Sequence, residues 1–309
     1  MKNKLLSIKK RYILTLGILV LFGFQQIFAQ QAPQYTQYMY NMGVVNPAYA
    51  GSKENLSVGL LYREQWSGID GAPKTFTFNA HSPVGNEWGI GISGINDQIG
   101  ATDQTDVYAD ISYTLDLGKK GNLAFGIKAG ARFQSTGFTD LYFQDEADPA
   151  FQQDIDETYL NLGAGLLYYT DKFYVGLSVP NFLSSTHVDA DGRTFGSEQQ
   201  HYFITAGYVF DMNEYIKFKP STLVKSEFGS AVSFDINANF LFYDKYEIGA
   251  SYRYEDAISA LASVRAADWV QIGVAYDATT SSLNEPSYEA FVIFDIFFNK
   301  KTYVSPRYF

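Results

Sequence analysis

Residues 121–134 read GNLAFGIKAGARFQ, and they alternate strictly. Leu123, Phe125, Ile127, Ala129, Ala131 and Phe133 fall on one side; Gly126, Lys128, Gly130, Arg132 and Gln134 fall on the other. A period of two is that of a β-strand whose two faces meet different surroundings. The theme recurs from Asn55 onward. "NLSVGLLYR" puts Leu56, Val58, Leu60 and Tyr62 on one face, and "TDVYADISYTL" sets Val107, Ala109, Ile111, Tyr113 and Leu115 against Asp106, Tyr108, Asp110, Ser112 and Thr114. In "SYEAFVIFDIFF" Tyr288, Ala290, Val292, Phe294, Ile296 and Phe298 alternate with Glu289, Phe291, Ile293, Asp295 and Phe297. About fourteen such segments follow one another, an even number in the range of bacterial barrels. No linker-like break divides them, and past the N-terminal region no apolar run approaches the roughly 18 residues of a spanning helix. The expected fold is all-β: a transmembrane outer-membrane β-barrel of about 14 antiparallel strands.

The connections support this. Taken in order, the even ones are short: SPVGN, DLGKKGN, TD, DMNE, YDK and AAD. Several odd ones are long: EQWSGIDGAPK, NDQIGATDQ, residues 135–156, residues 180–200 and DATTSSLNEP. KSEFGS and the bend at Glu255-Asp256 break the rule. Membrane barrels pair short periplasmic turns with longer outside loops, and an even strand number returns both chain ends to the periplasm. Which face is enclosed decides between barrel types, because a soluble sandwich or lipocalin-like barrel hides its apolar face and a membrane barrel displays it. The polar face carries both signs of charge (Asp110, Lys128, Arg132, Asp235, Arg253, Arg265, Glu289), which suits a wet or salt-bridged interior. Tyr62, Tyr113, Tyr168, Tyr169, Tyr243, Tyr246, Tyr252 and Tyr254 cluster near strand ends, as an interfacial girdle requires. The chain ends in Phe309, and a terminal aromatic resembles the signal read by barrel-assembly machinery. The soluble alternative stays open at this point. In hydrocarbon an unpaired backbone amide costs several kcal/mol, so the first strand near Asn55 is expected to pair with the last near Tyr288.

The N-terminus reads as an export signal. Lys2, Lys4, Lys9, Lys10 and Arg11 precede an apolar run from Tyr12 to Phe24, and Ile27-Phe28-Ala29 ends in a small residue. Three parts are expected: a cleaved signal over 1–29, an uncharged segment over 30–53 and a barrel over 54–309. The full sequence has net charge -10, and cleavage would remove basic charges and no acidic ones, so the mature chain is expected to be more acidic still. Such a chain is a poor nucleic-acid binder. It contains 0 cysteines, which excludes disulfides and thiolate chemistry.

Residues 31–52, QAPQYTQYMYNMGVVNPAYAGS, carry no charge and are crowded with Tyr, Asn and Met. Asn46-Pro47 and Ala50-Gly51 mark turns. Gln37, Tyr38, Met39, Asn41, Asn46, Pro47, Tyr49 and Gly51 are candidates to plug the lumen or dock a periplasmic partner; the plainer use is packing against the inner wall, the commoner fate of aromatics. This block resembles the N-terminal hallmark of the PorP/SprF family, outer-membrane barrels of the type IX secretion system and gliding motility of Bacteroidetes. "YREQWSGIDGAPKTFTFNAHSPV" (62–84), "FYVGLSVPNFL" (173–183), "FKPSTLVK" (218–225) and "SPRYF" (305–309) are similar to further family blocks. The resemblance implies a non-enzymatic barrel that supports secretion or surface anchoring of large adhesins or other cargo bearing a C-terminal sorting domain. Its implied partners are that cargo, periplasmic or outer-membrane components of the secretion machine, and outer-membrane lipid. A passive or substrate-specific channel is the rival reading.

Other constellations are weaker. "TDLYFQDEADPAFQQDIDE" holds Asp145, Glu146, Asp148 and further acids without a basic residue; with Trp66 these are outer-loop candidates. Calcium takes six to eight oxygens, which this loop could supply, but charge also keeps an outer loop solvated. "DADGR" (189–193) resembles part of a calcium loop but lacks the distal glutamate. His81, His187 and His201 form no close-spaced ligand pair and no G-x-S-x-G is present, so neither a zinc site nor a hydrolase is expected, and no cofactor or metal.

Overall fold

Fourteen antiparallel strands close into a barrel. The structure is a computed structural model that describes residues 35–137, 154–183, 189–190, 193–194, 200–227, 232–280 and 285–297. The wall strands are β1 (Leu56–Glu64), β2 (Lys74–Val84), β3 (Trp88–Ile99), β4 (Thr102–Asp116), β5 (Asn122–Thr136), β6 (Ile155–Tyr169), β7 (Phe173–Val179), β8 (His201–Tyr208), β9 (Ile216–Glu227), β10 (Ser233–Phe242), β11 (Tyr246–Arg253), β12 (Ala257–Ala267), β13 (Val270–Thr279) and β14 (Ser287–Ile296). Each pairs with its successor. The ring shuts where β1 meets β14, from Leu56 opposite Ile296 to Glu64 opposite Tyr288. No free edge remains at this seam, as hydrocarbon requires.

The faces are those of a membrane barrel. Ile92, Val107, Phe125, Ile127, Leu162, Ile236, Ile248 and Val274 point outward and are exposed. Arg63, Asp106, Asp110, Lys128, Asp235, Arg253, Asp277 and Glu289 point inward and are buried. This inversion excludes the soluble alternative, because no water-soluble barrel displays its greasy face and encloses its charges.

Two readings of the sequence need correction. NDQIGATDQ is not a long loop: β3 and β4 stay paired up to Ile99 opposite Thr102, leaving only Gly100 and Ala101 as the turn, with Gly100 at φ 59°. The hydrophobic alternation stops there but the ladder continues, held by polar cross-strand bonds such as Asn96 Nδ2 to Asp103 Oδ1 at 2.9 Å. Tyr169 does not belong to the outer girdle; it is buried and inward, while Tyr168 beside it faces out, since neighbours in a strand cannot share a face. The interior is also less polar than the alternation suggests, with Leu61, Leu167, Leu223, Phe291 and Ile293 on the enclosed face. Asp189–Ala190 pairs antiparallel with Arg193–Thr194.

Ile127 lies mid-strand on the outer face and is 60% exposed. Ile127→Arg is expected to lower barrel stability in phospholipid vesicles by about 2–4 kcal/mol, and Phe133→Arg, nearer the strand end, by about 0–1 kcal/mol. Urea titration, read by the mobility of unheated protein on a gel, checks the difference.

Candidate functional site

Residues 35–52 lie inside the barrel. They form three short turns, Tyr38–Tyr40, Met42–Val45 and Pro47–Tyr49. Asn46 sets the bend: its Oδ1 accepts from Ala48 N at 2.9 Å, and Pro47 follows at the first helical position, where its missing N–H costs nothing. Its Nδ2 donates to Leu166 O of β6 at 3.0 Å. The segment runs down the interior. Tyr35 and Thr36 sit at the level of Arg63, near the end with long loops; Ala50 and Gly51 sit near the short turns, and the chain then enters β1.

Its upper end is tied to a buried charge cluster. Arg63 of β1 reaches Asp277 of β13 at 2.7 Å and Glu289 of β14 at 3.1 Å. Glu289 accepts from the backbone N–H of Thr36 at 3.0 Å and of Gln37 at 2.7 Å. Thr36 Oγ1 donates to Asp277 at 2.7 Å and accepts from Arg63 at 3.0 Å. Charge-assisted bonds of this kind are the strong ones, and each charge here has a partner of the opposite sign.

The rest of the segment is bonded around the wall. Gln37 Nε2 donates to Val274 O at 2.9 Å. The Tyr38 hydroxyl lies 3.1 Å from Ser221 Oγ of β9 and accepts from Asn237 Nδ2 of β10 at 3.2 Å. Asn41 Oδ1 accepts from Asn79 Nδ2 of β2 at 2.9 Å. Lys128 of β5 pairs with Asp110 at 3.0 Å and donates to Gly43 O at 3.4 Å. Ser178 and Ser112 donate to the carbonyls of Val45 at 2.8 Å and Ala50 at 2.6 Å. Tyr40 stacks on Phe291 with centroids 4.4 Å apart. Tyr49 meets His81 edge-on at 5.2 Å, and Gly51 N donates to His81 Nδ1 at 3.3 Å. The wall is thinned where the segment presses against it: a Cβ on Gly126 would overlap the backbone of Pro47 and Ala48.

Every candidate in this segment therefore faces the inner wall. Gln37, Tyr38, Met39, Asn41 and Asn46 are buried, Pro47 packs beside Gly126, and Tyr49 is partly buried. Trp66 stands apart in the β1–β2 loop, half-buried at φ 47°, with its backbone N–H donating to Ser287 Oγ at 3.0 Å. Asp145, Glu146, Asp148 and Phe309, like the export signal expected over 1–29, lie outside the described residues. Sequence reasoning missed Asp277, Asn79, Ser178, Ser221 and Asn237 as binding groups. The available signal was their shared place on the polar face.

In this cysteine-free chain, Met39→Cys supplies a single reporter inside the barrel. It is expected to resist a water-soluble maleimide. Arg63→Met leaves two carboxylates without their cation, a loss of about 3–5 kcal/mol, and is expected to make the reporter reactive and to lower the urea midpoint. Gly126→Val is expected to do the same by displacing the segment at Pro47–Ala48.

The family profile described as type IX secretion system membrane protein PorP/SprF matches residues 27–297. No curated protein matches by sequence. By fold the chain is similar to the Ralstonia pickettii toluene transporter TbuX, with TM-score 0.50 and 11% identity over 82% of this chain and 92% of that one. The Acinetobacter baumannii outer membrane protein Omp33 aligns with TM-score 0.47 and 9% identity over 80% and 100% of the two chains. A Pseudomonas aeruginosa FadL homologue aligns with TM-score 0.47 and 11% identity over 82% and 93%. At such identities structural likeness speaks for the fold alone. A closed barrel with its apolar face outward, matched by one profile over nearly all its length, is an outer-membrane protein, and the chain belongs to the type IX secretion system PorP/SprF family.

Proposed function

We propose that this barrel serves the type IX secretion machine without catalysis, supporting secretion or surface anchoring of cargo that bears a C-terminal sorting domain, large adhesins among them. Family membership supports the machine. The observation that carries the mode of action is the filled interior: residues 35–52 bond to both halves of the wall, so a barrel of this kind works through protein contact. In this reading the short turns face the periplasmic components, the long loops face the cell exterior, and Gln37 to Gly51 act as a built-in plug. Gliding motility is one process such cargo would serve. The role of the toluene transporter does not extend to this chain at 11% identity, and a permeation channel is disfavoured by the bonded interior.

Two measurements test this. Purified protein in planar bilayers is expected to show little steady conductance, and a variant lacking residues 35–50 to show large ohmic openings; stable openings in the intact protein favour the channel. Cells lacking the chain are expected to lose surface labelling of sorted cargo, with the cargo retained in the periplasm. Undiminished labelling sinks the secretion reading.

A further inference from the structure

We propose that the outer part of β6 accepts an extended strand from a partner polypeptide, which completes the wall where β7 stops. β7 has 7 residues, fewer than the roughly 9–11 that cross an outer membrane, whereas β6 has 15. β6 pairs with β5 over its whole length, but with β7 only from Tyr169 opposite Tyr174 to Ala164 opposite Val179. On the far side β8 begins at His201, and it meets β7 only from Phe203 opposite Ser178. Neighbouring strands lie about 4.8 Å apart, so above Val179 the strands β6 and β8 stand about 10 Å apart, a slot one strand wide.

The chain itself turns away from this slot. Pro180 follows β7 and has no N–H to give a ladder. It crosses close over β6, where a Cβ on Gly163 would overlap the Pro180 carbonyl, and Asn181 is then buried beside the interior cavity. The next described stretch, Asp189–Ala190 with Arg193–Thr194, makes a two-stranded sheet of its own. Leu160 on the outer face of β6 is 72% exposed, against 60% for Ile127, which has a strand on either side.

The backbone says what fits. Phe182 N donates to Leu162 O at 2.6 Å, so Leu162 turns its peptide groups toward the slot. Successive residues of a strand turn theirs to opposite sides, so Leu160, Thr158 and Asp156 do the same. Among the described residues nothing bonds their N–H and C=O groups on that side. A lipid chain offers neither donor nor acceptor; an extended polypeptide offers both, as when a peptide adds to a sheet edge. Its outward residues lie beside Leu160 and Leu162 and are apolar. Its inward residues lie beside Asn161, which is fully buried. Asn161 Nδ2 donates to the Tyr108 hydroxyl at 2.9 Å, while its Oδ1 has no donor among the described residues. The occupant is therefore a strand that alternates apolar and hydrogen-bonding side chains.

The site goes beyond the secretion reading and is tested without cargo. Full-length protein in lipid nanodiscs is followed by amide hydrogen exchange, read residue by residue by mass spectrometry with electron-transfer fragmentation. In the protein alone the Thr158 and Leu160 amides are expected to exchange faster than those of Tyr159 and Asn161, which face β5. A seven-residue peptide alternating Thr and Leu is expected to slow Thr158 and Leu160 about tenfold at ten times its dissociation constant; the same peptide N-methylated at alternate residues is expected to leave them unchanged. Leu160→Pro removes an N–H from the slot side alone, so the barrel is expected to keep its unheated gel mobility and to lose the response to the peptide. Equal protection of the four amides in the protein alone means that the chain fills its own slot, and overturns the proposal. Protection that grows with protein concentration assigns the edge to a second copy and overturns it too. So does equal action of the two peptides, or loss of the fold in Leu160→Pro.

Discussion

The Arg63 cluster sits on the seam that closes the sheet. Arg63 and Glu289 are opposite residues in the β1–β14 pairing, and Asp277 comes from the next strand over. Closure is demanded by the backbone, since lipid leaves no unpaired amide a partner. The side chains at the seam then determine what the closed ring contains. Glu289 accepts two backbone N–H groups from the segment and Asp277 accepts the Thr36 hydroxyl, so wall and contents share one hydrogen-bonded unit. Buried ion pairs return little net stability because of their desolvation cost. Their effect here is selective: the charges are satisfied in one arrangement.

The same logic repeats down the interior. Lys128 with Asp110 bridges the neighbouring strands β5 and β4, Lys219 of β9 with Glu247 of β11 at 2.8 Å reaches across β10, and both lysines turn toward the segment. Lys128 reaches a segment carbonyl, and the Lys219 ammonium lies 5.6 Å from the centre of the Tyr40 ring. Leu167, Phe291 and Ile293 are inward-facing because Met42, Val45 and Tyr40 of the same packed cluster need apolar neighbours. The enclosed face is thus a mosaic matched to one uncharged stretch, with polar groups opposite its backbone and apolar groups opposite its side chains.

The wall was readable in the sequence because lipid imposes a simple rule. Ile127 and Phe125 must face out, Lys128 and Gly126 must face in, and the period of two says so directly. The reading failed where lipid stops. Over Asn96–Gln98 and Asp103–Thr105 both faces of the β3–β4 hairpin are polar, so the alternation vanished while the pairing went on to Ile99. The interior was harder still. Arg63 and Asp277 are 214 positions apart in sequence and meet only through the ring closure, which no local pattern encodes. Tyr38, Asn41 and Asn46 drew notice through unusual composition, but composition could not name the wall groups that receive them.

Residues 35–52 come before β1 in the chain, yet they are bonded to β6, β9, β10 and β13, all made later. The earliest-made stretch of the barrel has to wait in position while the sheet curls round it. A ring that shut without the segment would leave Glu289 short of two N–H donors and the Gly126 surface uncovered. The order of synthesis thus runs against the order of enclosure: the stretch made first is among the last to gain all its neighbours.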